Sequence, residues 1–171
     1  MSDNRYIGVF DSGIGGLTVV KSIVECMPGE NIIYFGDTAH VPYGTRSKRQ
    51  ITEYVLANVR FLRTFDIKAV VIACNTADSV AKEKVREVNP DLPVFGVVDP
   101  ASRLAAVSTK NGRIGIIATK ATVSTGVYKD AVEKRAKELG MKNIEIFQQA
   151  CPLFVSLAEE GWWDTEVTRL T

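Results

Sequence analysis

Short apolar runs alternate along this chain with longer stretches in which apolar positions recur every three or four residues. The runs Tyr6–Phe10, Asn31–Phe35, Lys68–Ala73, Pro93–Val97, Arg113–Ala118 and Asn143–Gln148 are mostly rich in Val and Ile and nearly continuous. Such runs suit strands of a parallel sheet covered on both faces. Between them, Leu17–Met27 puts Leu17, Val20, Ile23, Val24 and Met27 on one helical face and stops at Pro28-Gly29. Ser47–Phe65 repeats the spacing with Ile51, Val55, Leu56, Val59 and Leu62. Further helices are predicted over Thr76–Val88, Ala101–Ser108 and Val123–Leu139. Gly140 is placed to end the last of these, and Asp99 and Pro100 to cap and open the helix before it. Strand–helix alternation of this kind predicts an α/β fold with a doubly wound parallel sheet, whose ligand site lies beyond the C-terminal strand ends. That rule nominates the positions after each strand: Asp11-Ser12-Gly13, Gly36-Asp37, Cys74-Asn75-Thr76, Val98-Asp99 and Thr119.

Composition narrows the classes. The 171 residues are 46% hydrophobic and 24% charged, with 21 Lys and Arg against 20 Asp and Glu. That near-balance, with no basic stripe, gives nucleic-acid binding no electrostatic support. No apolar stretch approaches the roughly 18 residues of a membrane span, and Met1–Arg5 lacks a signal-peptide core. Three cysteines without a Cys-x-x-Cys pair, and the single His40, argue against a disulfide framework or a metal site. A reduced, cytoplasmic protein is expected. The tail reads as a loop, Gly161–Asp164, feeding a helix over Thr165–Thr171 capped by Asp164 or Thr165. That helix stops after about two turns, so a piece of a longer protein is expected.

Candidate chemistry centres on Cys74. A thiol at a strand end and a helix N-terminus meets unpaired N–H groups and the positive end of the helix dipole, both of which favour thiolate. A thiolate there serves as nucleophile or base; equally, cysteine in a strand is commonly a small hydrophobe. Asp11-Ser12-Gly13-Ile14-Gly15-Gly16-Leu17 opens the first helix with glycines that let a backbone approach an anion. Its spacing departs from Gly-x-Gly-x-x-Gly, so a carboxylate or phosphate suits it better than a dinucleotide. The alternative is a plain strand-to-helix turn. His40-Val41-Pro42-Tyr43-Gly44-Thr45 forms either a rigid loop with inward amides or an ordinary turn. Ala118–Thr122 offers hydroxyls that fit an anion or a helix cap equally. Cys26 reads as structural, His40 as packing, and Cys151 as a bystander facing the same cleft.

Three long motifs, in order, resemble glutamate racemase: Val9–Leu17, Tyr34–Gly44 and Val71–Ala77. The likeness continues through Gly96–Pro100, Ala118–Thr122 and Ala150–Phe154 with Glu159–Trp162. The resemblance implies two similar α/β lobes, here a first lobe over residues 1–98 and part of a second over 99–171. It implies cofactor-free interconversion of L- and D-glutamate for peptidoglycan synthesis, by two cysteines on opposite faces of the substrate Cα. Cys74 would be one of the two, and Asp11 would assist proton transfer and engage the amine. Ser12, Pro42, Tyr43, Gly44, Asn75, Thr76, Thr119 and Thr122 would bind substrate. The family's second cysteine lies in a Gly-Cys-Thr-His motif that these 171 residues lack, and Cys151 matches a separate family segment. The chain alone is therefore expected not to racemise glutamate efficiently. Aspartate racemisation is a close alternative, since one methylene separates the substrates. A non-catalytic module holding a small carboxylate or a partner protein is the alternative from another class. Open sheet edges and helix faces also make self-association an expectation.

Overall fold

The computed structural model describes residues 3–141 and 143–171. Its first sheet is parallel, with strand order β2-β1-β3-β4, where β1 is Tyr6–Asp11, β2 Ile32–Gly36, β3 Ile67–Ile72 and β4 Val94–Gly96. The strand bounds shift from the pattern-based ones by a residue or two. Helix α1 (Leu17–Cys26) covers one face, where Val19, Val20 and Ile23 pack on Ile7, Val9 and Ala73. Helices α2 (Lys48–Leu62) and α3 (Asn75–Val88) cover the other. There Ile51, Val55, Val59, Leu62, Ala77, Ala81 and Val85 close over Phe10, Val70 and Ile72. Alternation along β1 thus feeds both layers, which explains why the strand reads as a continuous apolar run.

The path turns at β1. The chain leaves it on one side to form β2 and returns on the other to form β3, so a crevice opens between the ends of β1 and β3. The pairing of Phe10 with Ile72, followed by the hydrogen bond from the Ala73 amide to the Phe10 carbonyl (2.8 Å), brings the next residues on both strands together.

Beyond β4, helix α4 (Val98–Ser108) begins three residues earlier than the spacing predicts. Asp99 is not its cap. The Val98 amide donates instead to Oδ2 of Asp78 on α3 (2.7 Å), while Asp99 accepts from Lys82 (2.9 Å). A carboxylate from a neighbouring helix has taken the capping role, and Pro100 falls at the third helical position, where its missing N–H has no intrahelical acceptor anyway. A second parallel pair, β5 (Arg113–Ala118) with β6 (Glu145–Ala150), follows. The helix predicted over Val123–Leu139 is instead two: α5 (Lys120–Thr125) and α6 (Val127–Glu138). Gly126 breaks them with φ of 71°, left-handed backbone that glycine adopts without a Cβ penalty. The other end behaves as predicted. Amides of Gly140 and Met141 bond to the carbonyls of Lys137 and Ala136, the paired pattern of a glycine-terminated helix.

Two short helices complete the chain. The first, α7 (Phe154–Glu159), is too short for periodicity to reveal. The second, α8 (Glu166–Leu170), is capped by the Thr165 side chain, which accepts from the Thr168 amide. Among the described residues no helix is long and apolar enough to cross a membrane, and no cluster of His, Cys, Asp and Glu is arranged to hold a metal ion.

Candidate active site

A cavity of about 790 Å³ opens at the crevice. Its wall comes from the ends of β1 and β3, from the turn around Tyr43 and Gly44, and from β5, α4, α5, α6 and α7. Of the residues nominated from sequence, Asp11, Ser12, Tyr43, Gly44, Cys74, Asn75, Thr76, Thr119 and Thr122 all line it. Pro42 does not: it is joined to Val41 by a cis peptide bond and leads into the short 3-10 helix Tyr43–Thr45. Cys151 faces the same cavity, as its position after β6 suggested, whereas Cys26 is exposed on α1 rather than packed.

Asp11 and Cys74 sit at the ends of adjacent strands. Asp11 ends β1, is buried, and accepts a hydrogen bond from the Gly16 amide (2.9 Å) through Oδ2. Its carboxylate therefore rests on the N-terminus of α1, where negative charge is favoured. Cys74 follows β3 and is the residue preceding the first turn of α3. Its Sγ donates to Oγ of Ser12 at 3.5 Å. The strand register produces this contact, since two residues beyond the Phe10–Ile72 pair lie Ser12 and Cys74.

The electrostatics differ from the sequence-based expectation. The helix N-terminus was expected to favour thiolate, yet the Cys74 thiol is pushed up from 9.0 to about 11. Burial is the largest cause, and the Asp11 charge adds to it. The Ser12 hydroxyl and the amides of Ala77 and Ser12 pull the other way without winning. Two raising effects outweigh the helix end because Cys74 is only 6% exposed and a carboxylate is its neighbour.

Hydroxyls line the facing wall. Oγ1 of Thr76 on α3 lies 3.0 Å from Oγ1 of Thr119, which donates to Oγ1 of Thr122 at 3.0 Å. Thr122 closes the triangle back to Thr76 at 3.4 Å. Thr119 also caps α5, accepting the Thr122 amide, so the capping and cavity-lining readings of this segment both hold. Asn75 accepts a hydrogen bond from the hydroxyl of Tyr128 on α6.

The turn that carries Tyr43 is held from behind. Tyr43 is buried, and its hydroxyl donates to Oδ2 of Asp37 (2.5 Å) while receiving a bond from Nδ2 of Asn58 (3.0 Å). His40 Nδ1 lies 2.7 Å from Oδ1 of the same carboxylate, and its ring stacks on Tyr54. His40 is thus a packing residue that helps hold the turn, in line with its sequence reading. The turn then meets α5 closely: a Cβ at Gly44 would stand 2.6 Å from Cβ and Cγ2 of Thr119.

Glu159 is a residue that site reasoning from sequence missed. It ends α7, lines the cavity, and its Oε1 would lie 2.4 Å from a Cβ at Gly13. The Tyr34 hydroxyl donates to the Gly13 carbonyl (2.8 Å) and is pushed up to about 12, by burial first and then by the charges of Asp11, Glu159 and Cys74. A second carboxylate therefore shares the neighbourhood of Asp11 and the sulfur. The only sequence signal for it was its place in a stretch resembling the family, because α7 itself left no periodic trace.

The family profile of Asp/Glu/hydantoin racemase matches residues 7–160. A glutamate racemase of Geobacter metallireducens is 48% identical over 167 residues, covering 98% of this chain and 60% of that protein. One from Neisseria meningitidis is 49% identical with the same coverage. Among solved structures, a glutamate racemase isoform of Bacillus anthracis superposes with a TM-score of 0.89 at 36% identity, covering 99% of this chain and 61% of that one. The Francisella tularensis glutamate racemase in complex with D-glutamate gives 0.85 at 41% identity, with the same coverage. The chain spans about 60% of the length of the relatives it matches.

Proposed function

The chain belongs to the Asp/Glu/hydantoin racemase family, and from that premise we propose that it binds glutamate and supplies one of the two thiols that move the Cα proton in a glutamate racemase. The observation that carries the reading is the content of one cavity. Carboxylates (Asp11, Glu159) and hydroxyl or amide groups (Ser12, Asn75, Thr76, Thr119, Thr122) line it together with the buried Cys74, whose sulfur bonds to Ser12, while the second cavity cysteine, Cys151, follows β6. A zwitterionic amino acid needs both kinds of partner: negative groups for its ammonium, donors for its carboxylates. The glutamate-bound relative makes glutamate the first choice of ligand.

The chemistry moves only protons. Cys74 as thiolate takes the hydrogen from Cα, and the electron pair left behind spreads into the α-carboxylate, where donors offset the growing charge. The high thiol pKa fits this scheme if the ligand itself changes it. An ammonium placed against Asp11 cancels the charge that helps hold the thiol protonated, so ionisation becomes easier once substrate is bound. The base is then generated where it is used. By its resemblance to the family, the proton on the opposite face belongs to the cysteine of a Gly-Cys-Thr-His motif, which these 171 residues do not contain. The chain alone is accordingly proposed to exchange the Cα hydrogen on one face without inverting the centre.

The test is proton NMR of L- and D-glutamate in deuterated water with the purified chain, alongside circular dichroism of the same solutions. Loss of the Cα–H signal for one enantiomer, unchanged optical sign, and abolition of exchange by Cys74→Ala are expected. Exchange that survives Cys74→Ala would remove the sulfur from the mechanism, and turnover between enantiomers would overturn the one-thiol assignment.

A further inference from the structure

Tyr128 stands on the cavity wall without a part in the chemistry above, and among the described residues its hydroxyl bonds to Asn75. Asn75 is the first residue of α3, directly after Cys74, and is itself exposed to the cavity. A carboxamide in that place has two faces of opposite sense. Its Oδ1 repels a carboxylate and its Nδ2 donates to one, and the two exchange by a simple half-turn of the side chain. Among the described residues no other hydrogen bond to the Asn75 side chain chooses between them. The phenol does: it comes from α6, across the cavity, and donates to Oδ1. Burial pushes the Tyr128 hydroxyl up to about 12, so it keeps its proton, and its donor role, throughout the neutral range.

We infer that Tyr128 is a positioning residue that fixes the Asn75 carboxamide with its oxygen engaged and its Nδ2 free to donate to a carboxylate of the bound amino acid. The inference rests on the glutamate-binding reading given above. It also assigns α6 a role in recognition, since a residue of that helix sets the polarity of a group at the start of α3. A purely structural tyrosine would contribute through ring packing, which phenylalanine retains. A positioning tyrosine acts through its hydroxyl alone.

The experiment compares the full chain with Tyr128→Phe, Asn75→Ala and the double variant. Dissociation constants for D-glutamate are measured by titration calorimetry, thermal unfolding serves as the structural control, and the Asn75 side-chain amide is followed by nitrogen-15 NMR in the absence of ligand. Tyr128→Phe should weaken glutamate binding about 3- to 10-fold, the worth of one hydrogen bond, and should have no further effect in the Asn75→Ala background. In the ligand-free protein it should shift the two Asn75 amide protons and speed their exchange with water. Unchanged affinity in Tyr128→Phe, or an equal loss with and without Asn75, would overturn the inference. So would an Asn75 amide spectrum indifferent to the hydroxyl, whatever the binding data. If the unaltered chain fails to bind glutamate while the amide spectrum responds to Tyr128→Phe, the functional reading falls and the positioning contact stands.

Discussion

Replacing Asp11 with Asn should make Cys74 easier to ionise, and the structure sets the scale of the effect. The thiol lies at about 11 against an ordinary 9.0. At pH 8 that difference lowers the thiolate fraction about a hundredfold, or about 3 kcal/mol at 1.36 kcal/mol for each tenfold step. Burial and the Asp11 charge share the responsibility, with burial the larger. Asparagine keeps the shape and can still accept the Gly16 amide, so the substitution removes the charge while leaving the burial in place. The full hundredfold is therefore the ceiling, and a gain of about tenfold in thiolate at pH 8 is the expected result. The assay is the rate of alkylation by iodoacetamide between pH 7 and 11, read by mass spectrometry on the peptide carrying Cys74. Cys26, exposed on α1, serves as an internal control for reagent and pH. A Cys74 profile whose midpoint stays in place or rises in Asp11→Asn would refute the electrostatic coupling of the two groups. The notion that substrate ammonium generates the base would go with it. Adding D-glutamate to the unaltered chain should shift the midpoint in the same direction as the substitution.

Three further outcomes follow from the same geometry. The folded chain holds the Cys74 proton more tightly than the unfolded one, so this group's contribution to stability is fully present below about pH 9 and is lost as pH rises through about 11. Denaturant titrations should show a loss of up to about 3 kcal/mol across that window, and Cys74→Ala should flatten the corresponding part of the alkaline arm. Thr122→Val opens the three-hydroxyl triangle at a position only 2% exposed. It should lower stability by about 1–2 kcal/mol, seen as a drop of about 2–8 °C in Tm by calorimetry; an unchanged Tm would mean the triangle carries no net stabilisation. Gly44→Ala drives a methyl group against the Thr119 side chain. Far-ultraviolet circular dichroism should stay near normal while glutamate affinity drops at least tenfold, and undiminished binding would show that the close approach of turn and α5 is dispensable.

Much of this was legible in the residues because the physics that fixes it is local. Strand β5 is bounded as its apolar run predicts, and Gly140 ends its helix by the backbone geometry that glycine permits. Cys74, Asp11 and Ser12 converge because parallel strands in this order bring the ends of β1 and β3 together, a consequence of topology alone. What escaped was decided between distant segments. Asp99 looks like a cap until Asp78, 20 residues earlier, takes the Val98 amide and leaves Asp99 to Lys82. Pro42 sits beside two residues that line the cavity, Tyr43 and Gly44, but is not itself among the lining residues. Glu159 was invisible as a site residue because its helix has six residues and no repeat to count. The Cys74 thiol went against expectation for the same kind of reason: the helix end is a local feature, whereas the burial and the Asp11 charge that outweigh it are brought by the fold.

The division of labour in the cavity follows from which part of the fold supplies each group. Asp11, Ser12 and Cys74 stand at the ends of adjacent strands of the first sheet, where register holds them to one another. The groups facing them arrive from beyond β4: Thr119 at the cap of α5, Thr122 within α5, Tyr128 on α6, Glu159 on α7. A chain trimmed before α4 would keep the sulfur and its carboxylate but lose the hydroxyl triangle, the donor to Asn75 and the second carboxylate together. On the proposed reading, proton transfer and ligand recognition thus depend on different segments. The contacts that join those segments, Gly44 against Thr119 and Thr76 with Thr119 and Thr122, are the ones whose alteration should separate binding from folding.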